Sequence, residues 1–147
     1  MSSEDKTGPE HDFDFWTGEW EVVGPEGRPL GTSSITPLFG TGALAEHWRG
    51  AGGFEGHSLN SYDRTSGRWH QTWLDSTGDL LFLDGGLVDG AMVLEGQAPG
   101  EDSDGPQPQR ITWTPEPDGV RQHWETTVDG GTVWTTVFDG HYRRPGT

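Results

Sequence analysis

The sequence predicts an all-β protein, an antiparallel up-and-down β-barrel of about ten strands that follows a short N-terminal helical turn. Apolar and polar residues alternate in short runs, with the two-residue period of a strand that has one buried face. Links rich in glycine and aspartate separate these runs and favour hairpins between neighbouring strands. No helical pattern is long enough for a parallel crossover, which favours an antiparallel meander. Closing the meander into a barrel removes its exposed edges, whereas the alternative, an open two-sheet sandwich, would keep them.

The first predicted element is a turn of α- or 3₁₀-helix that begins at His11, where Phe13, Trp16 and Trp20 have helical spacing. These aromatic side chains are expected to plug one end of the barrel. The strands are predicted at residues 19–23, 30–37, 43–49, 54–63, 68–75, 79–84, 91–96, 109–114, 120–128 and 132–142. The segment 97–108 is a longer, acidic and proline-rich loop that is expected to be mobile.

Length and composition predict one domain and limit its partners. In a chain of 147 residues we expect a single domain at 11–147 and a disordered polar tail at 1–10. Only 29% of the residues are hydrophobic, but the 11% that are aromatic bury a large area each. Nine lysines and arginines against 24 aspartates and glutamates give a formal net charge of −15. This charge repels phosphate backbones and anionic membranes, so neither nucleic acid nor a membrane is an expected partner.

Missing residue types and motifs exclude several kinds of site. The chain has no cysteine, which excludes disulfides, thiolate metal sites and cysteine nucleophiles. No apolar segment has the length of a membrane helix and the N-terminus lacks a signal-peptide pattern, so a cytoplasmic location is expected. No phosphate-binding glycine loop and no nucleophile-elbow serine is present, and no cofactor is expected.

Strand parity places the tryptophans on the same face as several polar side chains. In the run 69–75, Trp69, Gln71 and Trp73 share one face and His70 and Thr72 the other. We assign the tryptophan-bearing face of each strand to the interior. The predicted ligand-binding residues are then Trp48, Ser58, Asn60, Tyr62, Trp69, Gln71, Trp73, Gln122 and Trp124. Aromatic walls with a few converging polar groups are typical of small-molecule sites. The alternative is a polar network that satisfies itself with ordered water.

Glu46 is the candidate catalytic residue. It lies on the inward parity beside Trp48, and no inward lysine or arginine is predicted. Burial without a positive partner raises the pKa of a carboxyl group, which suits a general acid or base near neutral pH. The alternative is that Glu46 only accepts hydrogen bonds, from an indole or from Gln122. Asp75, close to the end of its strand, is expected in a turn or at the rim of the barrel.

The histidines are expected on the outer surface. His47, His57, His70 and His123 all have the parity opposite to that of the tryptophans. If the face assignment were inverted, four imidazoles would enter the lumen and a haem or metal site would become plausible. Neither an HxH pair nor an HExxH motif supports a metal site, so no metal ligand is predicted.

A set of motifs covers nearly the whole chain: FDFWTGEW at 13–20, EHW at 46–48, GHSLNSYD at 56–63, WHQTWLD at 69–75, Arg110, QHW at 122–124 and Tyr142-Arg143. Together they resemble a bacterial family of lipocalin-like domains of unknown function, within the calycin superfamily. The resemblance implies a calycin-type barrel and supports inward positions for Glu46, Trp48, Asn60, Gln71, Trp73 and Gln122.

Gly18-Glu19-Trp20 is similar to the G-x-W signature of these barrels, in which the tryptophan closes the base and a late arginine packs over it. Arg143 or Arg144 is implied for that arginine. The resemblance implies no settled activity.

Three functions follow as hypotheses. The first is a barrel that binds a hydrophobic or aromatic metabolite between the tryptophans. The second is a cofactor-independent isomerase or cyclase of a biosynthetic intermediate, in which Glu46 moves a proton and Asn60, Gln71 or Gln122 polarises a carbonyl group. The third is a haem-binding barrel that resembles nitrobindin-type proteins, with a histidine on iron. Alternating threonines at 132, 135 and 136 allow a homodimer without requiring one.

Overall fold

A computed structural model describes residues 8–98, 107–127 and 131–145. Ten antiparallel strands in these residues form a closed barrel in which each strand pairs with its neighbours in sequence, and the last strand pairs with the first. The strands are β1 Gly18–Val23, β2 Pro29–Leu38, β3 Ala43–Gly50, β4 Glu55–Asp63, β5 Arg68–Asp75, β6 Leu80–Val88, β7 Ala91–Ala98, β8 Gln107–Glu116, β9 Gly119–Thr126 and β10 Thr135–Arg143. The predicted up-and-down barrel is confirmed.

All ten predicted strands are present, and the largest difference is in β6. This strand continues to Val88, whereas the sequence analysis places its end at residue 84. Gly85 lies inside the strand, and a Cβ atom there would come within 2.0 Å of the Val93 carbonyl oxygen in β7. The glycine therefore permits a close approach of two backbones. The predicted loop 97–108 is shorter than expected, since its ends belong to β7 and β8, and residues 99–106 lie outside the described ranges.

Two 3₁₀ turns precede β1 and close one end of the barrel. They cover Pro9–His11 and Asp14–Trp16. Phe13 and Trp16 are fully buried, and their rings are stacked with centroids 4.9 Å apart. Phe13 also packs edge-on against Trp69 and Trp113, at 5.6 and 5.1 Å. The predicted aromatic plug is therefore present. No helix in the described ranges is long and apolar enough to cross a membrane.

The base below the plug is closed by Trp20. Its indole Nε1 donates a hydrogen bond to the Trp16 carbonyl oxygen at 2.8 Å, and the Arg144 guanidinium lies 3.8 Å from the centre of its ring. A Cβ atom at Gly18, where φ is +138°, would come within 2.0 Å of Arg144 Nη1. Gly18 of the G-x-W motif therefore leaves space for this arginine, and the tryptophan of the motif packs against it. Of the two candidates, Arg144 and not Arg143 packs over the tryptophan.

The barrel closes through a short ladder between β1 and β10. It contains three residue pairs, from Glu21↔Arg143 to Val23↔His141. Because β1 ends at Val23, residues 135–140 of β10 have no ladder partner on that side among the described strands. At this height Phe138 packs edge-on against Trp48 of β3, with ring centroids 5.7 Å apart. Side chains of β10 and β3 are therefore in contact inside the barrel beyond the end of this ladder.

Candidate functional site

A cavity of about 280 Å³ occupies the end of the lumen opposite the plug. Its wall is mostly aromatic and aliphatic, with four polar side chains deep inside, those of Glu46, Gln71, Gln122 and Tyr142, and an acidic turn at the mouth. The lining residues are Glu46, Trp48, Phe54, Gln71, Trp73, Asp75, Thr77, Asp79, Leu81, Ile111, Gln122, Trp124, Phe138 and Tyr142. Small-molecule sites usually have volumes of about 300–1,000 Å³, so this cavity suits a small, compact molecule.

Six of the ten predicted catalytic and ligand-binding residues line this cavity. They are Glu46, Trp48, Gln71, Trp73, Gln122 and Trp124. Each sits on the inward parity of its strand, so the alternation of the sequence is enough to place it in the lumen. The structure brings residues from β3, β5 and β9 together because the closed barrel turns all its inward faces toward one axis.

Tyr62 and Trp69 also point inward but do not line the cavity. Trp69 packs against Phe13 in the plug and donates its Nε1 hydrogen to the Pro9 carbonyl oxygen at 3.0 Å, and Tyr62 packs on Trp69 with ring centroids 6.0 Å apart. Their predicted place in the pocket wall is corrected to the plug. A strand rises about 3.3 Å per residue, so Trp69 lies about 13 Å from Trp73 along β5. Parity determines the face but not the height along the barrel.

Five hydrophobic or aromatic lining residues were missed by the sequence analysis. They are Phe54, Leu81, Ile111, Phe138 and Tyr142. The two-residue period of Phe138, Gly140 and Tyr142 in β10 could have identified two of them. Tyr142 also packs edge-on against Trp16, with ring centroids 6.2 Å apart, so it separates the plug from the cavity.

A directed chain of hydrogen bonds ends at Glu46. Gln71 Nε2 donates to Asn60 Oδ1 at 2.8 Å, and Asn60 Nδ2 donates to Ser58 Oγ at 2.8 Å. Ser58 Oγ then donates to Glu46 Oε1 at 2.6 Å. Glu46 lies opposite Ser58 in the β3–β4 ladder, and Asn60 lies opposite Gln71 in the β4–β5 ladder. Ser58 and Asn60 are therefore buried behind the cavity wall, where they orient Glu46 rather than line the cavity.

The carboxyl group of Glu46 is almost completely buried, with 5% of the residue exposed. Burial raises its pKa from 4.5 to about 7, and the hydrogen bond from Ser58 opposes this rise. No lysine or arginine lines the cavity in the described ranges. Within those ranges Oε2 has no hydrogen-bond partner in the protein and borders the cavity. At neutral pH the group is therefore divided between its acid and carboxylate forms, with one oxygen free for a ligand.

Gln122 and Tyr142 form the polar part of the opposite wall. The Tyr142 hydroxyl donates to Gln122 Oε1 at 2.6 Å. Burial, with a further contribution from the negative charge of Glu46, raises the pKa of Tyr142 well above its ordinary value, so the hydroxyl keeps its proton. The hydrogen bond leaves the amide Nε2 of Gln122 as a donor for the cavity. Trp124 is held beside it, because its Nε1 donates to Gln109 Oε1 at 2.6 Å.

Asp75 lies in the turn at the mouth, as predicted. It accepts hydrogen bonds from Trp73 Nε1 at 3.0 Å and from the Thr77 backbone nitrogen at 2.9 Å. Partial burial raises the pKa of Asp75, but the hydrogen bonds from Thr77 and Trp73 outweigh it and hold the pKa below its ordinary value. The residue therefore stays charged and anchors the Trp73 indole.

The four histidines named in the sequence lie on the outer face, as predicted. The exposed fractions of their side chains are 25% for His47, 55% for His57, 40% for His70 and 23% for His123. No histidine lines the cavity in the part of the chain that the structure describes. The haem hypothesis requires a histidine that faces the lumen, and the described residues do not supply one.

The chain matches no protein-family model, and no curated protein is significantly similar to it in sequence. The closed barrel of ten antiparallel strands is compatible with the lipocalin-like fold that the motifs imply. Membership of that family stays a prediction. A fold alone does not determine a function, whereas the geometry of the cavity limits what can bind there.

Proposed function

We propose that the barrel binds a small, neutral aromatic molecule that carries a hydrogen-bond acceptor. The observation that supports this proposal is the cavity itself, whose wall is formed by the indoles of Trp48, Trp73 and Trp124 together with the carboxyl group of Glu46. Aromatic surface around a small number of polar groups is the usual composition of a small-molecule site.

The polar groups of the cavity favour a ligand that accepts hydrogen bonds. Gln122 offers its amide Nε2, and below a pH of about 7 Glu46 offers a proton on Oε2. A carbonyl, ether or phenol oxygen could accept from either group. Buried donors without a partner are unfavourable by about 1–3 kcal/mol each, so a ligand that satisfies them gains affinity.

Charge disfavours an anionic ligand. The mouth carries Asp75 and Asp79, the inner wall carries Glu46, and the chain has a formal net charge of −15. A carboxylate or phosphate entering the cavity would meet negative charges at both ends without a lysine or arginine on the wall. A neutral ring system avoids this repulsion.

Two probes that share one ring system test the proposal. We expect 2-naphthol to bind one molecule per chain and naphthalene-2-carboxylate to bind at least about tenfold more weakly, when both are titrated by isothermal calorimetry. Gln122→Leu should weaken 2-naphthol binding about threefold to tenfold, because one donor is lost. Gln97→Leu, an exposed position on β7, is the matched control and should leave the affinity unchanged. Equal affinity for the two probes, or no binding of either, would contradict the proposal.

A second candidate function is favoured by the burial of the Glu46 carboxyl group at the cavity wall, which raises its pKa to about 7. A carboxyl group with that pKa and a free oxygen at the cavity can take up and return a proton near neutral pH. With a carbonyl oxygen held by Gln122, Glu46 could remove a proton from the neighbouring carbon and return it elsewhere, as an isomerase does. Both steps conserve the atoms of the ligand and need no cofactor.

The rate at which a bound ketone exchanges hydrogen for deuterium distinguishes binding from catalysis. We expect the wild-type protein to accelerate deuterium exchange at the carbons beside the carbonyl group of 2-tetralone in D₂O, followed by nuclear magnetic resonance. Glu46→Gln should still bind the ketone but should lose about 100-fold or more of the acceleration. A rate equal to that in buffer for the wild type, or equal rates for the two proteins, would leave binding as the function.

A further inference from the structure

Two histidines and a glutamate lie together on the outer face of β3 and β4. His47 and His57 are directly opposite each other in the ladder between these strands. Their rings are stacked, with centroids 4.2 Å apart and planes inclined by 15°. Glu55 precedes His57 by two residues, so its side chain emerges on the same face. The cavity does not use these three residues, because they lie on the other side of the sheet.

One carboxylate oxygen faces a nitrogen of each ring. Glu55 Oε2 is hydrogen-bonded to His47 Nε2 and lies 3.8 Å from His57 Nε2. Each of the three residues can offer one ligand atom, and these atoms all lie within 4.8 Å of one another. The three donors come from two adjacent strands of a closed sheet, so the backbone already holds them near one point.

We propose that His47, Glu55 and His57 bind one divalent transition-metal ion of the Zn²⁺ class. Two imidazole nitrogens and one carboxylate oxygen form a donor set that suits Zn²⁺ and its neighbours, whereas Mg²⁺ and Ca²⁺ prefer oxygen ligands. Around a tetrahedral Zn²⁺ the ligand atoms lie about 3.3 Å apart. The atoms that are farther apart than this have to approach one another by about 1.5 Å or less. The hydrogen-bonded pair of His47 Nε2 and Glu55 Oε2 has to move apart instead, and rotation of the partly exposed side chains provides both movements. The fourth position is left to water.

The site lies directly behind the buried acid. Glu46 precedes His47 and Ser58 follows His57. The pair of Glu46 with Ser58 is therefore next to the pair of His47 with His57 in the β3–β4 ladder. A bound ion ties β3 to β4 from outside, at the same height as the hydrogen bond between Ser58 and Glu46 inside. Arg49 lies opposite Glu55 in the ladder, and its positive charge repels a bound cation. The metal site does not depend on the proposed ligand, because none of its residues lines the cavity.

Zn²⁺ titration of the tag-free, metal-stripped protein tests the site. We expect calorimetry to show one Zn²⁺ bound per chain. At a Zn²⁺ concentration of about 100 times the dissociation constant, the thermal midpoint of unfolding should rise by about 5–10 °C. His57→Gln and Glu55→Gln should each weaken Zn²⁺ binding by about tenfold or more and abolish most of the thermal shift. Circular dichroism of the stripped variants checks that both are folded.

His70→Gln is the matched control. His70 is a partly exposed histidine on the neighbouring strand β5, and its Nε2 lies 3.8 Å from the Asp63 carboxylate. This pair offers one imidazole to a metal ion, whereas the proposed site offers two. We expect this variant to bind Zn²⁺ with wild-type affinity. Three results would overturn the proposal: no Zn²⁺ binding by the wild type, wild-type affinity in His57→Gln, or an equal loss of affinity in His70→Gln.

Discussion

The two ends of the lumen are built from the same kinds of residue but are packed differently. At one end Phe13, Trp16 and Trp113 are fully buried and in contact with one another. At the other end Trp73 and Trp124 are only partly buried, and the space between them is the cavity. The difference comes from the N-terminal 3₁₀ segment, which supplies two extra rings to one end. An aromatic lumen is therefore either a core or a pocket, depending on what else enters it.

The largest expected effect is on the plug. Trp16→Ala should lower the free energy of unfolding by about 3–5 kcal/mol, because it leaves a cavity in a closely packed cluster. Trp73→Ala should lower it by less than half as much, because the Trp73 ring already borders open space. Urea denaturation of both variants measures the difference. Equal losses of stability would mean that the two ends are packed alike.

The second prediction concerns the contribution that the buried carboxyl group of Glu46 makes to the pH dependence of stability. Glu46 has a pKa of about 7 in the folded state against an ordinary value of 4.5, so the unfolded chain loses this proton first as the pH rises. The stability that Glu46 contributes is complete below a pH of about 4.5 and is lost as the pH rises through about 7. The loss reaches about 3 kcal/mol at a pH of about 8.

Glu46→Gln isolates this effect. Its amide oxygen can still accept the hydrogen bond from Ser58, but the side chain does not titrate. The variant should match the wild type in urea denaturation at a pH of about 5 and exceed it in stability at a pH of about 8. The titration of all other groups is common to both proteins and cancels in the comparison. Parallel pH profiles for the two proteins would show that the pKa of Glu46 is not raised.

The sequence predicts the fold and the inward faces well because both depend on short-range periodicity. Alternation places Glu46, Trp48 and Gln122 in the lumen and His57 outside it, and short turns specify the meander. The raised pKa of Glu46 also follows from parity, since an inward carboxyl group without a positive neighbour is desolvated. These inferences need no knowledge of which strands lie across the barrel from each other.

The remaining features depend on the position of a residue along the barrel axis and on contacts across the barrel. The alternation of inward and outward residues specifies neither. Trp69 and Trp73 share a face, yet one belongs to the plug and the other to the cavity. The hydrogen bond from Tyr142 to Gln122 depends on the register between β10 and β9. The pairing of His47 with His57 likewise depends on the β3–β4 register, which a search for HxH or HExxH motifs cannot detect.

The smallest expected effect is at the base below the plug. Arg144→Ala removes the guanidinium that lies 3.8 Å from the centre of the Trp20 ring and should lower the free energy of unfolding by about 0.5–1 kcal/mol. Arg143→Ala, an exposed neighbour in β10, is the control and should change it by less than about 0.5 kcal/mol. Since neither Trp20 nor either arginine lines the cavity, neither variant should change the affinity for 2-naphthol. Tyr142 packs against Trp20, with ring centroids 6.1 Å apart, and also lines the cavity. A loss of affinity in Arg144→Ala alone would therefore show that the base and the cavity are coupled through Tyr142, and the two ends could no longer be treated as independent.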